Sequence, residues 1–127
     1  MKEWYPCACV DYVQGVRRFG GKEVLYQQFL IKFLQDDSYQ KVCRDLSARD
    51  LSMLNIDIVM LQGLAGNLGL TNLQLAAGRM AWAARHCHTC EALQTFMEQT
   101  TAAYQEVYRV LVDFRDGRVP SVEGAYA

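Results

Sequence analysis

The sequence predicts an all-α protein, in which four long amphipathic helices form an up-down bundle with a short extra helix at the N-terminal end. Hydrophobic residues make up 51% of the 127-residue chain, which is enough to build a core. The two prolines, Pro6 and Pro120, lie near the ends, so the chain between them is free to be helical. Apolar residues there recur at spacings of three and four, and helices with such stripes must bury them against each other.

The N-terminal region predicts an irregular lead-in over residues 1–9 and a short helix over residues 10–19, with Val13 facing inward. Cys7 and Cys9 form a Cys-x-Cys pair in the lead-in. Two thiolates at this spacing could bind a soft metal ion. The alternative is two small residues in a mobile segment.

Two helices are predicted between residues 22 and 49, because apolar side chains follow a helical repeat on either side of a polar break. In that break, Asp37 or Ser38 can cap the second helix. The side chains expected to face inward are Val24, Leu25, Phe29, Leu30, Phe33 and Leu34 in the first helix, and Tyr39, Val42, Cys43 and Leu46 in the second.

A central helix is predicted from Asp50, a good N-cap, to Gly69, a good C-terminal stop. One face is apolar and predicts core. The opposite face carries Gly63 and Gly66, and each glycine costs about 1 kcal/mol relative to alanine inside a helix. Close approach of another group is expected to offset that cost. The core face comprises Leu54, Ile58, Leu61, Leu64, Ala65 and Leu68.

Asp57 is the exception on the core face of this helix. A buried carboxylate needs a partner, because an unpaired buried charge is very costly. Arg79, Arg85 or a histidine could supply it. Alternatively, Asp57 lies early enough in the helix to reach water.

The remaining chain predicts two more helices. The first begins at Thr71, which is expected to be its N-cap, and it is rich in small residues, which suits tight packing on a neighbour. The second runs from about residue 93 to Phe114, and a loose tail follows over residues 115–127.

Between these two helices lies a segment rich in metal-ligating residues: His86, Cys87, His88 and Cys90. Structural zinc sites are generally built from two separated pairs, so four such residues in one turn are poorly placed to surround an ion. We therefore expect no metal site here. The segment is interpreted as a helix C-terminus, where histidine suits the dipole, and a polar loop.

The end of the central helix resembles the signature of histidine-phosphotransfer (HPt) domains, which runs roughly His-x-Leu-Lys-Gly-x-Ala-Gly-Asn-Leu-Gly. The matching stretch is Leu61-Gln62-Gly63-Leu64-Ala65-Gly66-Asn67-Leu68-Gly69. A second stretch, Phe33-Leu34-Gln35-Asp36-Asp37-Ser38-Tyr39, is similar to a Phe-Leu-x-Asp-Pro-Ser-Phe phrase of bacterial HPt proteins. The resemblance covers about residues 11–112. It implies a single HPt-like domain with its core at about residues 11–114.

Two positions depart from the signature. The phosphorylated histidine of the family falls on Val59, and the following lysine falls on Gln62. Valine has no nucleophilic atom and glutamine has no charge, so the usual phosphotransfer chemistry is excluded there. The resemblance therefore implies a pseudo-HPt protein with no catalytic residue at this place and no enzymatic activity.

The surface expected to bind a partner is called the docking face below. HPt domains dock the first helix of a receiver domain against this surface, so a bacterial response-regulator receiver or a histidine kinase is the implied partner. Exposed apolar patches are often interaction sites. The docking face comprises Asn55, Ile56, Val59, Met60, Gln62, Gly63 and Gly66.

Two other functions are open. The bundle could be a structural or dimerising scaffold, with the patch around Val59 as its homodimer interface, although a monomer is favoured. Alternatively, His86 or His88 could accept the phosphoryl group in place of the missing histidine.

Composition limits the remaining classes. A net charge of -1 implies no general attraction to nucleic acid or to anionic membranes, and no stretch is long enough for a membrane span. No apolar run follows the N-terminal Met1-Lys2-Glu3-Trp4, so no signal peptide is expected. Five cysteines without a regular frame fit a reducing cytoplasm. No phosphate-binding loop or catalytic set suggests a small-molecule substrate or a cofactor.

Overall fold

The computed structural model describes residues 1–87 and 89–119. Within them, all regular elements are helical, apart from one isolated antiparallel bridge between Cys7 and Val10. Two 3-10 turns are also present. Phe33–Gln35 directly follows the second α-helix, and Glu91–Leu93 directly precedes the last. The six α-helices are α1 (Tyr12–Arg18), α2 (Glu23–Lys32), α3 (Ser38–Ser47), α4 (Leu51–Asn67), α5 (Thr71–His86) and α6 (Gln94–Arg115).

The helices pack as neighbours in chain order. Helix α4 lies between α3 and α5, α5 also packs against α6, and α6 packs against α2. Tyr39 of α3 stacks on Tyr104 of α6, with ring centroids 3.9 Å apart, so α3 and α6 also meet. The prediction of an all-helical bundle is confirmed.

Helix α4 begins and ends where the sequence predicts. The Asp50 side chain accepts a hydrogen bond of 3.1 Å from the Met53 amide and so caps the first turn. Gly69 follows the helix with φ of +73°, a conformation that glycine adopts without strain. The predicted core face is buried except for Leu64, which is half-buried.

The predicted inward face of α2 is wrong in part. Val24, Leu25 and Phe29 are exposed, whereas Tyr26 and Gln27 are buried. The two polar side chains can be buried because each has a hydrogen-bond partner. The Tyr26 hydroxyl donates to the Leu68 carbonyl at 2.6 Å, and the Gln27 amide donates to the Lys2 carbonyl at 2.8 Å and to the Tyr12 hydroxyl at 2.9 Å.

The first helix also differs from the prediction. Helix α1 is shorter than the predicted helix over residues 10–19, and Val13, expected to face inward, is exposed. Its buried position is instead Gly15, which lies directly against the Tyr26 ring. The absence of a side chain at Gly15 gives the tyrosine its space.

The N-terminal segment is packed against the turn between α4 and α5. Both Cys7 and Cys9 are buried, so the alternative of a mobile segment is wrong. The Asp11 amide donates to the Gly69 carbonyl at 2.7 Å, and the Thr71 amide donates to the Cys9 carbonyl at 3.1 Å. The first amide of α5 is therefore satisfied by the N-terminal backbone, and the Thr71 side chain does not cap the helix as predicted.

The C-terminal helix ends at Arg115, one residue beyond the predicted end. Most of the predicted loose tail, residues 120–127, lies outside the described residues. Among the described helices, none combines the length and the apolar character needed to cross a membrane.

Replacing Tyr26 with phenylalanine tests the hydrogen bond that joins α2 to the turn after α4. The Tyr26→Phe change leaves the buried Leu68 carbonyl without its donor, and we expect a loss of about 1–2 kcal/mol in the free energy of unfolding. Urea unfolding followed by circular dichroism measures the loss. Tyr108→Phe is the control, because Tyr108 is exposed and its substitution should change stability by less than about 0.5 kcal/mol. Equal effects of the two substitutions would contradict the assigned role of Tyr26.

A candidate partner-binding face on α4

The structure divides the docking face into an exposed part and an inward part. Ile56, Val59, Met60 and Gly63 are exposed on α4. Asn55 and Gln62 are half-buried, and the Asn55 amide donates to the Leu51 carbonyl at 2.9 Å. Gly66 is buried. The surface open to a partner is therefore apolar, and it occupies the middle of the helix.

Val59, at the position that corresponds to the family's phosphorylated histidine, retains 48% of its surface exposed. One turn later, a Cβ atom added at Gly63 would meet no heavy atom within 4 Å. The space beside position 59 is thus open. No nucleophilic side chain occupies position 59, so this arrangement can contact a partner but cannot accept a phosphoryl group there.

Helices α4 and α5 meet through two glutamine–glycine contacts. In one the glutamine belongs to α5, and in the other it belongs to α4. A Cβ atom at Gly66 of α4 would lie 2.9 Å from Nε2 of Gln74 on α5. A Cβ atom at Gly78 of α5 would lie 3.1 Å from Nε2 of Gln62 on α4. Each helix therefore carries a glycine beneath a glutamine of the other, so each glutamine side chain lies directly on the opposite helix. Gly66 serves this packing, whereas Gly63 serves the open surface.

Two apolar side chains of α5 are also exposed, and neither was predicted as a site residue: Leu75 and Trp82. The antiparallel register set by the glutamine–glycine contacts places Trp82 about level with Val59 along the bundle. Trp82 stacks on His86 with ring centroids 4.3 Å apart. The spacing of Leu75, Trp82 and His86, which matches one helix face, was the available sequence signal.

A groove lies beside the C-terminal end of α4. It encloses about 350 Å³ between α2 and α4. Phe29, predicted to be in the core, is exposed at its wall, and the Lys32 ammonium group lies 5.5 Å from the centre of that ring. The groove thus combines an apolar wall with one positive charge, Lys32, and one negative charge, Asp36. Its lining residues are Phe29, Lys32, Phe33, Gln35, Asp36, Leu64 and Leu68.

Two carboxylates are buried together behind α4. Asp57 is 8% exposed and Asp45 of α3 is 3% exposed. The nearby cation is Arg44, whose Nη2 lies 3.3 Å from Asp45 Oδ1 and 3.7 Å from Asp57 Oδ2. The predicted candidates Arg79 and Arg85 do not take this place. One oxygen of each carboxylate, Oδ2, has no hydrogen-bond partner among the described residues.

The electrostatic consequence of this pair falls on Asp45. Burial and the nearby Asp57 carboxylate raise the pKa of the Asp45 carboxyl, and Arg44 only partly opposes the rise. The charged form of Asp45 is therefore disfavoured in the folded protein. Asp45 was not predictable from the sequence, because its contact with Asp57 arises only from the packing of α3 on α4.

The predicted absence of a metal site stays a prediction at the His86–Cys90 segment. His88 lies outside the described residues. Within the described ranges, no three potential ligands from His, Cys, Asp and Glu cluster in a way that could hold an ion. His86 is exposed, with Nδ1 2.8 Å from the Trp82 carbonyl oxygen.

The chain matches no family model, no curated protein and no solved structure. The assignment of a function therefore rests on the resemblance of residues 59–69 to the HPt signature and on the chemistry of the docking face.

Alanine substitution at the two glycines of α4 should change the free energy of unfolding by different amounts. Gly63→Ala adds a methyl group in open space and should stabilise the helix by up to about 1 kcal/mol. Gly66→Ala places its methyl group against Gln74, so this helical gain should be offset by the displaced side chain. Urea unfolding of both variants measures the difference. A larger stabilisation by Gly66→Ala than by Gly63→Ala would contradict the close α4–α5 contact.

Replacing Asp45 with asparagine tests the carboxylate pair. Because the folded-state pKa of Asp45 is raised, the native state binds more protons than the unfolded state between the unfolded and folded pKa values, and stability falls as pH rises through that window. Asp45→Asn should remove this fall and raise the free energy of unfolding at neutral pH. Urea unfolding at a series of pH values measures both effects.

Asp37→Asn is the matched control for that experiment, because Asp37 is exposed at the start of the same helix α3 and pairs only with Lys41 at the surface. It should leave the pH dependence of the wild type intact. Destabilisation at neutral pH by Asp45→Asn would show that the charged carboxylate is needed and would overturn the assignment of a raised pKa to Asp45.

Proposed function

We propose that the chain is a pseudo-HPt protein of phosphorelay signalling, which binds a response-regulator receiver domain without carrying phosphate. A histidine kinase is the other partner of the same class. The observation that carries the proposal is the combination at the middle of α4: an exposed valine at the acceptor position, beside an open glycine. This surface can contact a partner, but position 59 has no nucleophile that could accept a phosphoryl group.

The apolar character of the docking face supports partner binding. Ile56, Val59 and Met60 are all largely exposed on α4, together with Met53 one turn earlier. Burying such side chains against a partner contributes about 25 cal/mol for each Å² removed from water. A contiguous exposed set on one helix commonly marks an interaction site.

The absence of the signature's lysine charge at Gln62 also bears on the proposed function. In the HPt signature a lysine follows the histidine by three residues, and here that position is Gln62, whose side chain lies over Gly78 of α5. No cation of α4 is therefore offered to a phosphoryl group at this place. A protein of this kind would compete with a true HPt domain for a receiver, or would hold the receiver in one state.

A homodimeric scaffold is the second candidate, and the same exposed methionine and isoleucine side chains favour it. A mass that stays monomeric at high concentration would exclude it. Phosphotransfer through His86 or His88 is the third, and it requires an acid-labile phosphoryl label that disappears in a variant lacking both histidines.

Placing a charge at the acceptor position tests receiver binding. Val59→Asp introduces a carboxylate into the centre of the apolar docking face, where contact with a receiver would bury it. We expect affinity to fall at least 10-fold, which corresponds to about 1.4 kcal/mol. Isothermal titration calorimetry with the receiver domains of the source organism measures the change.

Val24→Asp is the matched control, because Val24 of α2 is exposed to a similar extent, 52% against 48% for Val59. It should bind as the wild type does. Both variants should retain the wild-type circular dichroism spectrum. Tight binding by a folded Val59→Asp variant would count against the docking face as the receiver site.

A further inference from the structure

The N-terminal segment holds a pair of thiols that the proposed function does not use. Cys7 begins, and Cys9 lies within, a tight turn closed by the backbone bridge between Cys7 and Val10. Their sulfur atoms are 3.6 Å apart. Both cysteines are free, and a disulfide needs about 2.05 Å between the sulfurs, a distance that side-chain rotation could close.

The two thiols are not equivalent. Cys7 retains 8% of its surface exposed, whereas Cys9 is fully buried. The hydrogen bond between the two thiols lowers the pKa of Cys7, and the same contact, together with burial, raises the pKa of Cys9. Glu106 acts against ionisation of both. Cys7 is thus the nucleophile of the pair and Cys9 is held as a thiol next to it.

We propose that Cys7 and Cys9 form a reversible intramolecular disulfide when the protein meets a peroxide. The Cys7 thiolate attacks one oxygen of hydrogen peroxide, the O–O bond breaks, and Cys7 becomes a sulfenic acid while hydroxide leaves. The Cys9 sulfur then attacks the Cys7 sulfur, the S–O bond breaks, and the oxygen leaves as water with the Cys9 proton. Two thiols are oxidised and one peroxide is reduced to two waters.

The turn that holds Cys7 and Cys9 also makes backbone contacts with the start of α5, which a disulfide would affect. The carbonyl of Cys9 accepts the hydrogen bond of the Thr71 amide, which begins α5, and the next contact of the segment joins Asp11 to Gly69. A disulfide would fix the turn that carries these contacts. Short-range, strained disulfides are the easily reduced and regulatory kind, so the bond should reopen with thiol reductants. This inference is independent of receiver binding.

Peptide mapping of the wild-type protein tests the proposal, because trypsin releases residues 3–17 as a peptide whose two cysteines are Cys7 and Cys9. The folded protein is treated with hydrogen peroxide, its remaining free thiols are alkylated, and it is then digested. We expect the 3–17 peptide to be unalkylated and about 2 Da lighter than its reduced form. Dithiothreitol before alkylation should restore two alkylated thiols.

The Cys9→Ser variant supplies the matched control. Without the resolving thiol, Cys7 should stop at the sulfenic acid and be trapped by dimedone, and no internal disulfide should form. Two alkylated thiols in the 3–17 peptide of wild type after peroxide treatment would overturn the proposal. Direct oxidation of Cys7 to the sulfinic acid in wild type, with Cys9 still alkylated, would also overturn it.

Discussion

The close contact of α4 and α5 is the constraint on which the candidate site depends. Two glycines, Gly66 and Gly78, each lie beneath a glutamine of the opposite helix, and these contacts fix the register of the pair. Because Gln62 is held over α5, the side chain at the lysine position of the HPt signature takes part in packing. The register also brings Trp82 about level with Val59 along the bundle. A glycine in a helix costs stability, and at Gly66 the close contact with the Gln74 side chain offsets that cost, whereas Gly63 has no such contact.

The carboxylate pair and the N-terminal half of the chain supply further contacts that hold α4 in place. Asp45 of α3 and Asp57, near the middle of α4, lie close together beside Arg44, so this helix contact includes a carboxyl group, Asp45, whose pKa is raised. At the C-terminal end of α4, the Tyr26 hydroxyl and the Asp11 amide donate to carbonyl groups of the turn that follows the helix. Helix α4 is thus held on its α3 side and at its C-terminal end, while its exposed apolar side chains face solvent.

Helical periodicity predicted the all-α bundle, the start and end of α4 and its core face, because each depends on local spacing and capping. The orientation of α2 was not predictable in this way. Its buried residues, Tyr26 and Gln27, are polar, and only partners distant in sequence make their burial favourable. The same reason applies to the site: Val59 and Gly63 could be placed on the exposed face from the sequence, whereas Trp82 required the register between helices. Burial of the Cys7–Cys9 pair likewise depends on the fold of the N-terminal segment against α5.

The central claim is that the middle of α4 binds a receiver domain without accepting phosphate. Its most direct test is an NMR titration of the isotope-labelled protein with receiver domains of its own organism, each with and without a phosphoryl mimic. We predict chemical-shift changes centred on Ile56, Val59, Met60 and Gly63, and no phosphorylated species of the protein. Shifts confined to other helices, or no shifts with any receiver, would contradict the claim and would direct the search to a homodimer or a partner of another class.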